Sequence, residues 1–120
     1  MIEGFIDEHG HPLVEVEVGG SQTSVKVSAL VDSGFDGELC LPIEVAIPLG
    51  LKLVAVQTIE FADGSTKKEL VFDGRLSWEG EFRRAQVYLT AAKQALIGTG
   101  LLIERLVTLD FRLGVVRIEK

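Results

Sequence analysis

One carboxylate of this sequence stands where acid–base chemistry is feasible. Asp32 directly follows the apolar end of Thr23–Val31 and is followed at once by Ser33 and Gly34. A carboxylate at the end of an apolar strand is partly desolvated, and positioned carboxylates serve as general acids or bases. The same residue types also form ordinary Asx and Ser turns. The tripeptide therefore indicates either a working carboxylate or a plain strand-ending turn.

Other chemistries have little support in the sequence. Cys40 lies in an apolar stretch, which is typical of a small core side chain rather than a nucleophile. His9 and His11 could share a metal ion, but the sequence has no third His, and Gly10 and Pro12 favour a surface turn. The motifs of zinc peptidases, serine hydrolases and nucleotide-binding loops are absent. We therefore expect neither a metal nor a cofactor.

The elements that must position the acidic turn are short strands. Leu13–Gly20 alternates valines with glutamates, the period of a half-buried strand, and Thr23–Val31 resumes the alternation. Together they predict a hairpin whose second strand runs into the turn. Thr99–Val107 predicts a helix, because Leu102 and Leu106 fall on one helical face. Further turns are indicated by glycine-containing pairs at 63–64, 73–74, 79–80 and 113–114. We expect one domain over residues 1–120, all-β with one short C-terminal helix.

The composition supports a folded domain and limits its partners. Hydrophobic residues make up 47% and charged residues 25% of the 120-residue chain, which allows a real core. The net charge is −6, with 18 acidic residues against 12 Lys and Arg, so we expect no nucleic-acid partner. No apolar run approaches the roughly 20 residues of a membrane helix, and the start of the chain lacks the basic region of a signal peptide. Together with the single cysteine, these features favour a cytoplasmic protein without a membrane partner.

The order of several short motifs resembles the retropepsin-like (clan AA) aspartic proteases, which include retroviral proteases and small microbial relatives. The resemblance covers about Leu13 to Ile118. Its motifs, in chain order, are the Asp32-Ser33-Gly34 signature after an apolar strand, the strand end Leu39–Pro42, Leu49-Gly50-Leu51, a hairpin about Phe61–Ser65, and Leu96-Ile97-Gly98 before the helix. With Phe35 after it, the signature is similar to the Asp-[Ser/Thr]-Gly-Phe sequence of a microbial subgroup.

The resemblance implies a closed β-barrel of the acid protease fold and the hydrolysis of peptide bonds. In this family two carboxylates share one proton and activate a water molecule between them. One chain offers one signature, so a homodimer is implied in which the two Asp32 side chains meet at a two-fold axis. Ser33 would bond across this axis, and Gly34 would let the substrate backbone approach closely. The terminal strand Gly114–Ile118 would join the interface, unless the N-terminal segment through His11 covers its edge.

The resemblance also implies a cleft for an extended peptide substrate. The hairpin over about residues 55–72 is expected to close on the peptide as a flap. Substrate-binding residues are implied at Gly34, Phe35 and Asp36 in the loop and at Ala62, Asp63 and Gly64 in the flap tip. Leu96, Ile97 and Gly98 are implied to support the catalytic loop from beneath.

Some positions depart from the retroviral pattern. Phe35 replaces a small Ala, and Thr99 stands where those enzymes have an Arg that supports the acid matching Asp36. A fold does not determine a function, so a non-catalytic retropepsin-like module that binds peptides or only dimerises is a second interpretation. An unrelated β-domain is a third.

Overall fold

The computed structural model describes residues 1–120, most of which lie in strands. The strands are β1 (Ile2–Ile6), β2 (Pro12–Gly19), β3 (Ser24–Val31), β4 (Leu39–Pro42), β5 (Lys52–Glu60), β6 (Thr66–Trp78), β7 (Glu81–Thr90), β8 (Ala95–Ile97), β9 (Leu106–Asp110) and β10 (Val115–Glu119). The helices are α1 (Ile43–Ala46), which runs into a 3₁₀ turn (Ile47–Leu49), and α2 (Thr99–Leu102). None of these helices has the length and apolar character that crossing a membrane requires.

The strands form one sheet that closes on itself. Their order is β5-β6-β7-β4-β8-β3-β2-β1-β10-β9. A further pairing of β6 with β2, Val18 opposite Leu76 and Gly19 opposite Arg75, closes the six strands from β6 to β2 into a barrel. A single cluster of 18 buried side chains, drawn from the barrel strands, β10 and the helical turns, forms the core. The expected mainly-β class and closed barrel are confirmed.

The hairpin that leads into the acidic turn forms as its alternation predicts. β2 and β3 pair antiparallel over seven residue pairs, from Leu13↔Leu30 to Gly19↔Ser24. Val14, Val16 and Val18 are buried at 0%, 4% and 0% exposure, whereas Glu15 between them is exposed. Because side chains alternate between the two faces of a strand, the valines fill the barrel and the glutamates face solvent.

The predicted helix over Thr99–Val107 is wrong beyond Leu102. The helix α2 has four residues, and Glu104 two residues later adopts a left-handed backbone with φ of 61°. Leu106 begins strand β9 and is 60% exposed. The pairing of β9 with β10 therefore outweighs the helical propensity of a segment too short to sustain a helix alone.

The predicted turn at Asp73-Gly74 is also wrong, because β6 passes straight through it. Asp73 lies opposite Gln86 and Gly74 opposite Ala85 in the β6–β7 ladder. A β-carbon at Gly74 would lie only 3.1 Å from the Leu51 side chain. The glycine at this position serves close packing in the barrel rather than chain reversal.

The C-terminal strand has no free edge. β10 pairs with β1 on one side, from Ile2↔Ile118 to Phe5↔Val115, and with β9 on the other. The alternative in which the N-terminal segment covers this edge is therefore the one observed. β9, at the end of the sheet, carries the open edge instead.

Candidate active site

The candidate catalytic loop, residues 32–38, begins where two parallel strands end. β3 pairs with β8 from Ala29↔Ala95 to Val31↔Ile97. The N–H of Asp32 extends this ladder by donating to the carbonyl of Ile97 at 2.9 Å. Because Ile97 is fully buried, the ladder fixes the base of the loop to the barrel core.

Asp32 is the acceptor of an Asx turn. Its Oδ1 accepts a hydrogen bond from the N–H of Gly34 at 2.9 Å, and its carbonyl accepts from the N–H of Phe35 at 3.2 Å. Asp32 is partly buried, while Ser33 and Gly34 are exposed. The turn thus orients the carboxyl group while engaging one of its two oxygens. A strand-ending turn and a working carboxylate are compatible here, because the turn itself holds the acid in place.

Three backbone hydrogen bonds clasp the far half of the loop to the start of α2. The amides of Gly98, Thr99 and Gly100 donate to the carbonyls of Glu38, Phe35 and Gly37 at 3.1, 2.8 and 3.0 Å. These contacts place Gly98 directly against the loop, with Leu96 and Ile97 preceding it in β8. Together with the bond from Asp32 to Ile97, they attach the loop to the β8–α2 segment at both of its ends.

The ring of Phe35 points from the loop towards β7. It meets the Tyr88 ring edge to face, with centroids 5.8 Å apart and an interplanar angle of 88°. Tyr88 in turn donates from its hydroxyl to Oε1 of Gln57 in β5 at 3.2 Å. An aromatic contact and one hydrogen bond therefore connect the loop to the middle of strand β5 in the β5–β6 hairpin.

The β5–β6 hairpin lies where the flap is expected. Its strands pair from Lys52↔Asp73 to Glu60↔Thr66, with an irregularity between Leu53 and Ala55, and every residue of β5 is exposed. The turn at the tip contains Ala62, Asp63 and Gly64, all exposed. The Ser65 hydroxyl and then the Ser65 amide donate to Asp63, which lowers the pKa of that carboxyl. The tip is thus an ordered turn with an ionised carboxylate.

The loop carries a second acid without an ion-pair partner. Asp36 is exposed and takes part in none of the salt bridges of the chain. Thr99, at the position of the retroviral Arg, lies with its hydroxyl 3.5 Å from the carbonyl of Phe35. Asp36 is therefore open to solvent and to any ligand that approaches the loop.

Cys40, His9 and His11 are the remaining candidates for chemistry, and none of them belongs to loop 32–38. Cys40 is 7% exposed, and burial raises the pKa of its thiol to about 11, so it stays protonated at neutral pH. His9 and His11 are exposed beside a turn in which both of their amides donate to Asp7 at 2.9 Å. No group of three His, Cys, Asp or Glu side chains is arranged to hold a metal ion.

Glu38 is a functional candidate that sequence analysis misses. Its carboxylate accepts a hydrogen bond from the N–H of Gln86 at 2.8 Å and forms an ion pair with Arg83. Both partners lie on β7, more than forty residues further along the chain. A contact so distant in sequence becomes visible only once the register of β4 against β7 is known.

Three solved structures with a similar fold are proteases. No protein-family model and no curated protein matches the sequence. A retropepsin-like aspartic protease from Rickettsia conorii aligns with a TM-score of 0.72 at 22% identity, covering 98% of this chain and 88% of its own. EIAV protease complexed with the inhibitor HBY-793 aligns with a TM-score of 0.57 at 13% identity, covering 80% of this chain and 88% of its own. Simian foamy virus (mac) protease aligns with a TM-score of 0.56 at 20% identity, covering 75% of this chain and 90% of its own. The chain therefore has the fold of the retropepsin-like aspartic proteases.

Proposed function

We propose that the protein is an aspartic-type endopeptidase that acts as a symmetric homodimer, with Asp32 of each chain at the centre. The observation that carries the proposal is the construction of loop 32–38 within a retropepsin fold. Its carboxyl group is oriented by the N–H of Gly34, and its far half is clasped to α2. Such a loop presents an acid in a fixed geometry, which acid–base catalysis requires.

The reaction needs two carboxylates that share one proton and hold a water molecule. The ionised carboxylate takes a proton from the water as the water oxygen bonds to the peptide carbonyl carbon, while the protonated one donates to the carbonyl oxygen. When the tetrahedral diol collapses, a proton passes to the nitrogen, the C–N bond breaks, and a carboxylic acid and an amine leave. This chemistry uses no metal, cofactor or covalent intermediate.

The surrounding residues take roles that suit an extended peptide. The exposed Ser33 bonds across the dimer axis, and Gly34 admits the substrate backbone. Phe35 and Asp36 line the same side of the cleft. The tip of the β5–β6 hairpin, at Ala62, Asp63 and Gly64, covers the peptide, with residues 55–72 acting as the flap.

Residues 1–120 form a single retropepsin-like domain in this proposal. Its substrate is a peptide or protein, since a strand-like cleft recognises extended backbone. Its single cysteine suits a reducing compartment, and we assign it to the cytoplasm. The net charge of −6 argues against a nucleic-acid partner.

One observation favours a second function, a non-catalytic module that binds peptides or only dimerises. In retroviral relatives the chain ends interleave into a shared sheet, whereas here β10 is enclosed by β1 and β9 of its own chain. A dimer must then form through the catalytic loops, the flap tips and the open edge of β9. A chain that fails to associate in this way retains the cleft but lacks the second carboxylate.

The test is sedimentation across a concentration series, with cleavage of a denatured protein measured on the same samples at acid pH. We expect pepstatin-sensitive cleavage whose specific activity rises with the dimer fraction. A protein that stays monomeric at every concentration and still cleaves would contradict the shared-site mechanism. A stable monomer or dimer without activity would instead support the non-catalytic module.

We expect peptidase activity to be highest at about pH 4–6, because the two carboxylates must hold one proton between them. Initial rates on a peptide from pH 3 to 9 check this, and a rate that rises steadily to pH 9 would indicate another mechanism. Circular dichroism at each pH is the control for folding.

Arg105 holds the pKa of Glu79 below its ordinary value of 4.5, so this pair stabilises the fold above that pH and loses its effect as the pH falls through the lowered value.

A further inference from the structure

We infer that Glu38 is a positioning residue: its carboxylate fixes the end of loop 32–38 to β7 and so limits movement of the loop that carries Asp32. The inference rests on the proposed peptidase function and assigns one component of its site. Glu38 is placed at the last position of the loop, immediately before β4 begins at Leu39. From there its backbone and its side chain reach two different neighbouring elements.

The backbone of Glu38 bonds to one side and its side chain to the other. Its carbonyl accepts from the N–H of Gly98, next to β8, at 3.1 Å. Its Oε1 accepts from the N–H of Gln86 on β7 at 2.8 Å, and its Oε2 pairs with the Arg83 guanidinium. A single residue therefore ties the loop to both strands that flank β4 in the sheet.

The strand register explains why a side chain is needed here. The parallel ladder between β4 and β7 starts at Leu39↔Val87, one residue after the loop ends. The N–H of Gln86 lies just before this ladder, and the Glu38 carboxylate supplies the acceptor that a strand carbonyl would otherwise provide. The Glu38 side chain is only 18% exposed, and a charged acceptor strengthens the hydrogen bond.

No other ion pair of the chain involves loop 32–38. Asp36 has none, and the clasp to Gly98, Thr99 and Gly100 holds the loop only from the β8–α2 side. Without Glu38 the loop keeps only the ring contact of Phe35 with Tyr88 towards β7, so its end can shift relative to that strand. A dyad formed by two chains is sensitive to such movement, because displacement of about 1 Å can cost roughly a hundredfold in rate.

The chain offers a closely matched control. Asp73 on β6 pairs with Arg84, the neighbour of Arg83, and its side chain is 20% exposed. Asp73 lies within a continuous strand opposite Gln86, and its side chain pairs with Arg84 and forms no hydrogen bond with loop 32–38. Replacing it removes a carboxylate of similar burial and pairing while leaving the loop attached.

Glu38→Ala, Glu38→Gln and Asp73→Ala are compared with the wild type in kcat, KM and pH profile. We expect Glu38→Ala to lower kcat by about tenfold or more, with KM changed less than about threefold, and to shift the pH profile as the carboxylate spacing changes. Glu38→Gln keeps an acceptor for Gln86 and restores most of kcat, and Asp73→Ala behaves as the wild type. A Glu38→Ala protein with wild-type kcat and pH profile overturns the inference, as does an equal loss in Asp73→Ala.

A second measurement separates this inference from the proposed function. Amide hydrogen exchange by NMR needs no activity, and we expect the Gln86 amide to exchange at least about tenfold faster in Glu38→Ala but not in Glu38→Gln. The amide resonances of Asp32 and Gly34 should shift in the same variant only. If the wild type cleaves nothing, the peptidase proposal fails. The Gln86, Asp32 and Gly34 amides still test whether Glu38 attaches the loop to β7. Unchanged exchange at Gln86 and unchanged loop resonances overturn the inference that Glu38 attaches the loop to β7.

Discussion

Asp32→Asn is expected to lower peptidase activity by roughly a hundredfold to ten-thousandfold or more while leaving fold and association intact. Asn is nearly isosteric with Asp, and its Oδ1 can still accept the N–H of Gly34 that orients the side chain. It cannot take a proton from water, so the general base is lost. Hydrolysis rates, thermal unfolding and sedimentation of the purified variant check the three parts of this expectation.

The control for this substitution is Asp110→Asn. Asp110 closes a surface turn in which its Oδ1 accepts the N–H of Arg112 at 3.0 Å, the same spacing in sequence as between Asp32 and Gly34. The Leu113 amide and the Arg112 side chain also hold its pKa below the ordinary value. Its replacement removes a turn carboxylate without touching the loop. Because Asp110 ends β9, whose edge the proposed dimer uses, activity is compared at equal dimer fraction, where it should persist. Wild-type turnover in purified Asp32→Asn would remove the catalytic assignment.

Gly98→Val is expected to destabilise the protein by about 3 kcal/mol or more, well beyond the effect of Gly114→Val. Gly98 is buried, and a β-carbon there would lie 2.6 Å from the Phe35 ring and closer still to the carbonyls of Phe35 and Gly37. Those carbonyls accept the bonds that clasp the loop, so they cannot withdraw without releasing it. The substitution therefore strikes the core and the candidate site together.

Gly114→Val provides the comparison, because its strain has a different origin. Gly114 has φ of +69°, which costs a side chain about 1–2 kcal/mol, but its added β-carbon meets nothing nearer than 3.8 Å. Thermal unfolding distinguishes the two, since 1 kcal/mol corresponds to about 4 °C in a chain of this size. Equal losses in melting temperature would argue against the close packing of Gly98 under the loop.

Local patterns predicted the parts of the fold that depend on near neighbours. The valine alternation of β2 and the turn at Asp63-Gly64 could be derived because burial on one face and a left-handed glycine leave direct traces in sequence. Asp73-Gly74 carries the same dipeptide yet lies inside β6, because the packing of Gly74 against Leu51 is not a local property. The spacing of Leu102 and Leu106 failed for a related reason, since β10 captures the second half of that segment as strand β9.

The candidate site divides in the same way. Asp32 could be proposed from sequence, because its turn is made with Gly34 two residues away. The clasp of Thr99 to Phe35 spans 64 residues, and the attachment of Glu38 to Gln86 spans 48. Such pairings follow from the order of strands in the barrel, which no single segment encodes. The partner carboxylate of the proposed dyad lies beyond even this level, because it belongs to another chain.

Because β10 is enclosed between β1 and β9 of its own chain, the chain can complete this part of its fold without a second chain. Where terminal strands are exchanged between subunits, a lone polypeptide leaves backbone donors and acceptors exposed until it meets a partner. Here each polypeptide completes those hydrogen bonds by itself. In the proposed homodimer, association would then be an equilibrium between folded chains, and dilution would yield inactive folded monomers rather than unfolded chains. In such a system the abundance of the protein becomes the control on its proposed activity.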